Sequence, residues 1–391
     1  MKRFVQRSVR KHSGPMFIAA TALNLLLLTL GLLLAEQAPP TLKEAFKGSF
    51  LIGCALNPSE FTESDGRAAA LVKAQFDSIS PENVLKWGSI HPEPDRYNFD
   101  PADKYVAFGE KNHMFIIGHT LVWHHQTPNW VFEDAKGNPV DRETLLKRMR
   151  EHIQTVVGRY KGRVNGWDVV NEALNDDGTL GQTPWLKIIG EDYIAKAFEF
   201  AHEADPKAQL QYNDYSMENE AKRNGALELI RKLKAQGVPV TGVGLQGHYG
   251  MDWPTVDQLD ASIAAFAKLG VKVMITELDI DVLPSAWQYH GADISRNAEL
   301  QPKLNPYTNG LPDSVQQALA QRYADLFRVF LKHRADVTRV TFWGVTDRGS
   351  WLNNFPVRGR TNYPLLFDRE GRPKPAFDEV IKVGCGASSG R

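Results

Sequence analysis

From residue 50 onward, short apolar runs alternate with longer segments of helical periodicity. The runs are FLIGCAL (50–56), FDSIS (76–80), MFIIG (114–118), VNGWDVV (164–170), QLQYN (209–213), VGLQ (243–246), VKVMITE (271–277) and RVTFWG (339–344). Several are almost unbroken in Val, Ile, Leu and Phe, as strands covered on both faces should be. The intervening segments carry helix start signals. Asp100-Pro101 offers a cap followed by proline in the first turn, Asp141 precedes RETLLKRMREHIQTVVGRY, and Pro254-Thr255 opens another periodic stretch. Eight such alternations predict an α/β chain folded as a single (β/α)8 TIM barrel with long loops. The rival, a doubly wound open sheet, calls for a glycine-rich turn after the first strand. NPSEFTESDG at 57–66 is not one.

The amino terminus follows a different pattern. Lys2, Arg3, Arg7, Arg10 and Lys11 precede MFIAATALNLLLLTLGLLLA (16–35), a run without charge. This is an export segment, either a signal peptide that is removed or a signal anchor that is kept, since about 20 apolar residues also suffice to span a bilayer. In both cases residues 36–391 face outward, so the protein is secreted, periplasmic or anchored at the cell surface. The expected organisation is therefore 1–35 export segment, 36–43 linker, 44–382 catalytic barrel and 383–391 flexible tail. The whole chain balances 46 basic against 46 acidic residues, but setting aside the five basic ones in the leader leaves 41 against 46. A mildly acidic body argues against a nucleic-acid partner. Cys54 and Cys385 are too few for a disulfide framework, and Cys54 sits inside an apolar run as a small buried hydrophobe.

Barrels carry their chemistry beyond the carboxyl ends of the strands. Those positions here offer Asn57; Glu82, Asn83, Lys86 and Trp87; His119, Trp123 and Gln126; Asn171 and Glu172; Asn213 and Asp214; Gln246 and His248; Glu277 and Asp279; and Trp343 with Trp351. A carboxylate in such a place is commonly a cap and a tryptophan commonly core, so each alone means little. Together they form a set. Glu172 closes the fourth strand and Glu277 the seventh, which places them across the mouth from each other. Two carboxyl groups flanking a cleft are the minimum equipment for glycoside hydrolysis. Tryptophans 87, 123, 343 and 351 suit the C–H face of a pyranose, while the amides, His and Lys answer its hydroxyls. No metal or other cofactor is expected: His124-His125 cannot both face one site, and neither H-E-x-x-H nor a serine elbow occurs.

With these residues in place, the chain resembles glycoside hydrolase family 10, the endo-β-1,4-xylanases. The resemblance spans about residues 44–382 and rests on SPENVLKW (80–87), GHTLVWHHQTPNW (118–130), WDVVNEA (167–173), QYNDY (211–215), GVGLQGH (242–248), ITELDI (275–280), FWGVTD (342–347) and WLNNFPVRGRTNYPLLFD (351–368). It implies a retaining double displacement on xylan, with Glu172 as acid/base and Glu277 as nucleophile. His248 and Asp279 match the pair that orients the nucleophile, and Asn171 a ligand of the sugar 2-hydroxyl. Glu82, Asn83, Lys86, His119, Trp123, Gln126, Gln246, Trp343 and Trp351 match substrate-binding positions. Retention calls for carboxyl groups about 5–5.5 Å apart. His125 and Arg348 depart from the family's pattern near the leaving-group side. The expected partner is xylan or a xylo-oligosaccharide, with the protein a monomer that meets a membrane only if its anchor is kept. A non-catalytic glycan-binding module would lack one of the two glutamates, and both are present. A β-1,4-glucanase or mannanase remains open, because the acid pair alone does not fix the sugar.

Overall fold

The computed structural model describes residues 40–285 and 301–388, together with Met1. The chain divides into two units, residues 1–40 and 41–391, and the barrel belongs to the second. The expected export segment lies outside the described residues, among which no helix is long and apolar enough to cross a membrane.

Among the described residues nine strands form: β1 Leu51–Leu56, β2 Ser78–Pro81, β3 Phe115–Val122, β4 Gly166–Asn171, β5 Gln209–Asp214, β6 Gly242–Leu245, β7 His248–Gly250, β8 Lys272–Asp281 and β9 Val337–Phe342. Every ladder is parallel. The order runs β6-β5-β4-β3-β2-β1-β9-β8, and a further β6–β8 pairing closes eight strands into a ring. This is the (β/α)8 barrel that the alternation predicted. β7 stands apart, pairing only with the far end of β8, His248 opposite Asp279. Three residues are too short to show a period, so no pattern announced it.

Helices wrap the ring and begin largely where their caps are written. Asp141 accepts the Thr144 amide at 2.7 Å to open Arg142–Arg159, and Thr255 with Gln258 builds a capping box ahead of Val256–Ala267. At Asp100-Pro101 the start falls one residue earlier. Asp100 is already helical and Phe99 takes the cap position. Proline is tolerated there because its missing N–H would have had no intrahelical partner. The last helix runs Pro375–Ser388, six residues beyond the boundary expected at 382. Neither Cys54, which is buried on β1, nor Cys385 forms a disulfide.

One large apolar cluster fills the interior, with Leu304 and Val357 packed apart from it, and buried polar side chains thread it. Trp167 on β4 lies flat against β3, where the position of a Cβ on Gly118 falls 2.1 Å from its indole. Only glycine leaves room for that ring. Deeper in the barrel, Arg339 donates to Gln211 at 3.4 Å, Gln211 donates to Asp168, and Asp168 meets His119 Nδ1 at 2.8 Å. A buried charge must be paired or hydrogen-bonded. Here the pairing runs upward from the core and ends on a histidine at the mouth.

Candidate active site

A cleft of about 980 Å³ opens at the carboxyl ends of the strands. The catalytic, orienting and substrate-binding residues expected from the sequence all line it, from Glu82 to Trp351. Trp87 does not belong. It is 2% exposed, packs face to face on His152 at 3.7 Å between ring centres, and is core. His125 also stays off the cleft wall, edge-on to Trp123 at 5.4 Å, and Arg348 lines a separate cavity.

Glu277 lies within β8, 5% exposed. Its Oε1 accepts Asn213 Nδ2 at 2.8 Å and its Oε2 meets His248 Nε2 at 3.1 Å. His248 Nδ1 faces Asp279 Oδ1 at 3.0 Å, and Asp279 Oδ2 accepts the Trp351 indole N–H at 2.7 Å. The order Asp279–His248–Glu277 is thus one line of contacts, and the β7–β8 ladder fixes its register. Burial pushes the Glu277 carboxyl upward. The His248 hydrogen bond, the imidazoles of His119 and His248 and the Asn213 bond outweigh it, holding the group below its ordinary value. His248 shows the converse. Burial opposes its charge, yet Asp279 and Glu277 carry it up to about 10.

Glu172 is the first residue past β4, half-buried, with a backbone φ of 55°. A non-glycine residue in that region is uncommon, and here it turns the side chain into the cleft. Trp123 Nε1 donates to its Oε2 at 2.8 Å and Gln246 Nε2 to its Oε1 at 2.9 Å. The two carboxylates are joined through amides. Asn213 Nδ2 reaches both Glu277 and Asn171 Oδ1, each at 2.8 Å, and Gln246 Nε2 reaches Asn171 Oδ1 at 3.4 Å. Thr276 donates to the other end of the Asn213 amide at 2.6 Å, which fixes which way it points.

Behind Glu172 the backbone is pinned. The amide of Ala173 donates to Tyr212 Oη at 3.2 Å and that of Leu174 to Asp214 Oδ2 at 3.4 Å, while Tyr212 donates to the same carboxylate. Lys222, fully buried, pairs with Asp214 Oδ1 at 2.9 Å and lies 3.2 Å over the Tyr215 ring. Burial lifts Asp214 to about 6 against the pull of Lys222.

One flank of the cleft is strongly polar. Lys86 Nζ donates to Asn83 Oδ1 at 3.1 Å and Gln126 Oε1 at 3.0 Å and sits 5.0 Å over the Trp123 ring. Asn57 donates to Glu82. Burial raises Glu82 and lowers Lys86, each opposed by the other's charge. Elsewhere the walls are aromatic, with Trp351 stacked on Phe355 at 5.1 Å and Trp343 edge-on to His119 at 5.4 Å. Tyr215, Asn219, Asp176, Tyr307 and Phe355 also line the cleft and were not anticipated. Tyr215 had a signal, since it ends the QYNDY block. Asn219 takes the cap position of the helix Glu220–Ala235, and the other three come from long loops without periodicity. Among the described residues no cluster of His, Cys, Asp and Glu is arranged to hold a metal ion.

A sequence profile of glycosyl hydrolase family 10 matches residues 41–383. The chain is 45% identical over 357 residues to endo-1,4-beta-xylanase A of Xylanibacter ruminicola, covering 91% of this chain and 97% of that one. It is likewise 45% identical over 367 residues to a beta-1,4-xylanase of Dictyoglomus thermophilum, covering 92% and 97%. Among solved structures, a GH10 endoxylanase retrieved from a sugarcane soil metagenome superposes with a TM-score of 0.84 at 46% identity, over 88% of this chain and 99% of that one. The chain belongs to glycosyl hydrolase family 10.

Proposed function

We propose that this glycoside hydrolase is an endo-β-1,4-xylanase that cleaves internal linkages of xylan with retention, Glu277 attacking and Glu172 exchanging the proton. One observation carries the assignment of roles. The carboxylate on β8 is buried among donors that favour its anion, whereas the one past β4 is half-buried and faces the cleft. A nucleophile must stay ionised, and an acid/base must change state and meet water.

In the first step Glu277 attacks the anomeric carbon as Glu172 passes its proton to the departing glycosidic oxygen. The C–O bond breaks and a glycosyl ester on Glu277 forms. Glu172, now a carboxylate, takes a proton from water. The resulting hydroxide adds to the anomeric carbon from the vacated side and releases Glu277, so two inversions restore the β-configuration. Asn171 has its carbonyl oxygen occupied by two amide donors, which leaves its NH2 for the sugar 2-hydroxyl. Trp343 and Trp351 give the rings an apolar floor, and Lys86, Asn83 and Glu82 take hydroxyls on the polar flank.

The arrangement 1–35, 36–43, 44–382 with a short tail belongs to the same proposal, as do export and a monomeric state. The basic residues before an uncharged run support export. Parallel digestion of xylan, soluble cellulose and mannan, with product anomers followed by NMR, tests the activity. Xylan should be preferred and yield β-anomers first. Initial α-anomers would exclude retention, and preference for cellulose or mannan would exclude the substrate.

A further inference from the structure

Beside the cleft lies a second cavity of about 290 Å³, lined by Asp65, Arg67, Thr346, Arg348, Arg369 and Glu370. We propose that it binds the carboxylate of a uronic acid carried as a side chain on the xylan backbone. The inference rests on the xylanase reading and adds a specificity site to it.

The first argument is charge. Three guanidinium groups meet two carboxylates, and both carboxylates are engaged elsewhere. Asp65 Oδ1 accepts the Ala68 amide at 3.0 Å to cap the helix Gly66–Gln75, and Glu370 Oε2 accepts Arg372 Nη2 at 3.0 Å. The arginines are under-used by comparison. Arg67 donates to the Glu370 carbonyl at 2.5 Å, and Arg369 Nη2 donates to Asn353 Oδ1 at 2.6 Å. Arg369 Nε is buried with no partner. Among the described residues, no hydrogen bond or ion pair holds the exposed Arg348 guanidinium. Planar donors of this kind pair best with carboxylates, by two parallel bonds.

The second argument is the mixed lining. A phosphate dianion would meet Asp65 and Glu370 as like charges. A hexuronate carries one negative charge and several hydroxyls, so its carboxylate can take the arginines while its hydroxyls donate to the two carboxylates and Thr346. The volume suits one sugar ring rather than a length of chain.

The third is position. Thr346 and Arg348 sit on the loop between Trp343 and Trp351, both of which line the cleft. Thr346 is three positions along from Trp343 and Arg348 three before Trp351, which limits either Cα separation to about 11 Å. The loop is anchored. Asn353 Nδ2 donates to the carbonyls of Asp347, Arg348 and Ser350 at 2.8, 3.3 and 3.0 Å, and its Oδ1 is the acceptor that holds Arg369. A buried Lys374–Asp347 pair at 2.9 Å fixes the loop's base. One anchored loop thus carries residues of both the cleft and the cavity.

The test compares kcat/KM on glucuronoxylan, on the same polymer with its carboxyl groups reduced to alcohols, and on a linear xylo-oligosaccharide. Wild type is set against Arg348→Ala and Arg348→Glu, exposed changes that leave the fold intact. Wild type should favour the native polymer over the reduced one by roughly 3- to 10-fold, the scale of a partly exposed charge-assisted pair. That preference should shrink in Arg348→Ala, vanish in Arg348→Glu and weaken with added salt. All three proteins should cleave the linear oligomer alike. Equal rates on native and reduced polymer in wild type would overturn the proposal, as would an Arg348→Glu effect common to all three substrates. Failure to cleave the linear oligomer would overturn the xylanase reading and this site with it.

Discussion

Glu277 and Glu172 are the same residue type at the same mouth, yet the fold treats them differently. Glu277 sits inside a strand, buried, with one oxygen met by the interior amide of Asn213 and the other by His248 of the cleft wall. Glu172 stands one residue past its strand at φ 55°, half-buried, with its oxygens met by side chains that are themselves cleft walls. The first setting fixes a charge and the second exposes a group that can change its own. The difference also lies in what supports each residue. Glu277 is held by its strand and by side chains, and Glu172 by two acceptors, Tyr212 Oη and Asp214 Oδ2, that grip the amides coming after it.

The contrast breaks most visibly at Glu277. Glu277→Ala should lower kcat on every glycoside by at least about 10⁴-fold, leaving group notwithstanding, because the bond-forming group is gone. Mass spectrometry after reaction with an activated fluoro-sugar should find wild type labelled on Glu277 alone. A label on any other residue would end the nucleophile assignment. Glu172→Ala should cost about 10²–10⁴ on xylan but spare glycosylation by aryl glycosides whose leaving group needs no proton. A burst of released phenol followed by slow turnover is the expected signature. Full activity on xylan would remove Glu172 from the mechanism.

A smaller effect probes how the Glu277 charge is kept. His248 is held up to about 10 by Asp279 and Glu277 against burial, and its hydrogen bond and charge in turn lower Glu277. In Asp279→Asn the shape remains while one of these charges goes, so His248 should lose its proton at lower pH. The alkaline limb of kcat/KM, where His248 gives up the proton it shares with Glu277, should move to lower pH. The linked stability has a definite sign. A raised histidine stabilises the fold fully below its unfolded value near 6.5 and ceases to do so as pH rises through about 10. Thermal unfolding followed from pH 6 to 11 should show that loss completed earlier in the variant. An unchanged alkaline limb would mean that the line Asp279–His248–Glu277 is packing and does not tune Glu277.

Strand order, and with it the placing of Glu172 opposite Glu277, was legible because parallel barrel strands are buried on both faces and announce themselves as apolar runs. The cleft residues at strand ends were legible for the same reason, since the barrel assigns them a side. Trp87 misled because a strand end says which face a residue approaches, not where its ring turns. It opens the short helix Trp87–Ile90 and stacks on His152 from another helix, a contact no local pattern encodes. Tyr307 and Phe355 come from segments whose course depends on side-chain anchors such as Asn353. Those anchors are long-range bonds, and the chain gives no sign of them until it is folded.

Tyr212→Phe sharpens the comparison at its least conspicuous point. The hydroxyl accepts the Ala173 amide and donates to Asp214, so its loss leaves one buried donor and one buried acceptor short. Unsatisfied groups of that kind cost about 1–3 kcal/mol, which denaturant unfolding would measure. Glu277 rests on other supports and should not feel the change. Glu172 should, because the amide after it no longer fixes the turn that aims the carboxyl into the cleft. Turnover of xylan, which needs a well-placed proton, should fall roughly 3- to 10-fold, as small misplacements do. Formation of the covalent intermediate from an activated aryl glycoside, which needs the nucleophile alone, should hold. If both reactions slow together, the hydroxyl supports the mouth as a whole, and the separation between a strand-held nucleophile and an amide-held acid/base is lost.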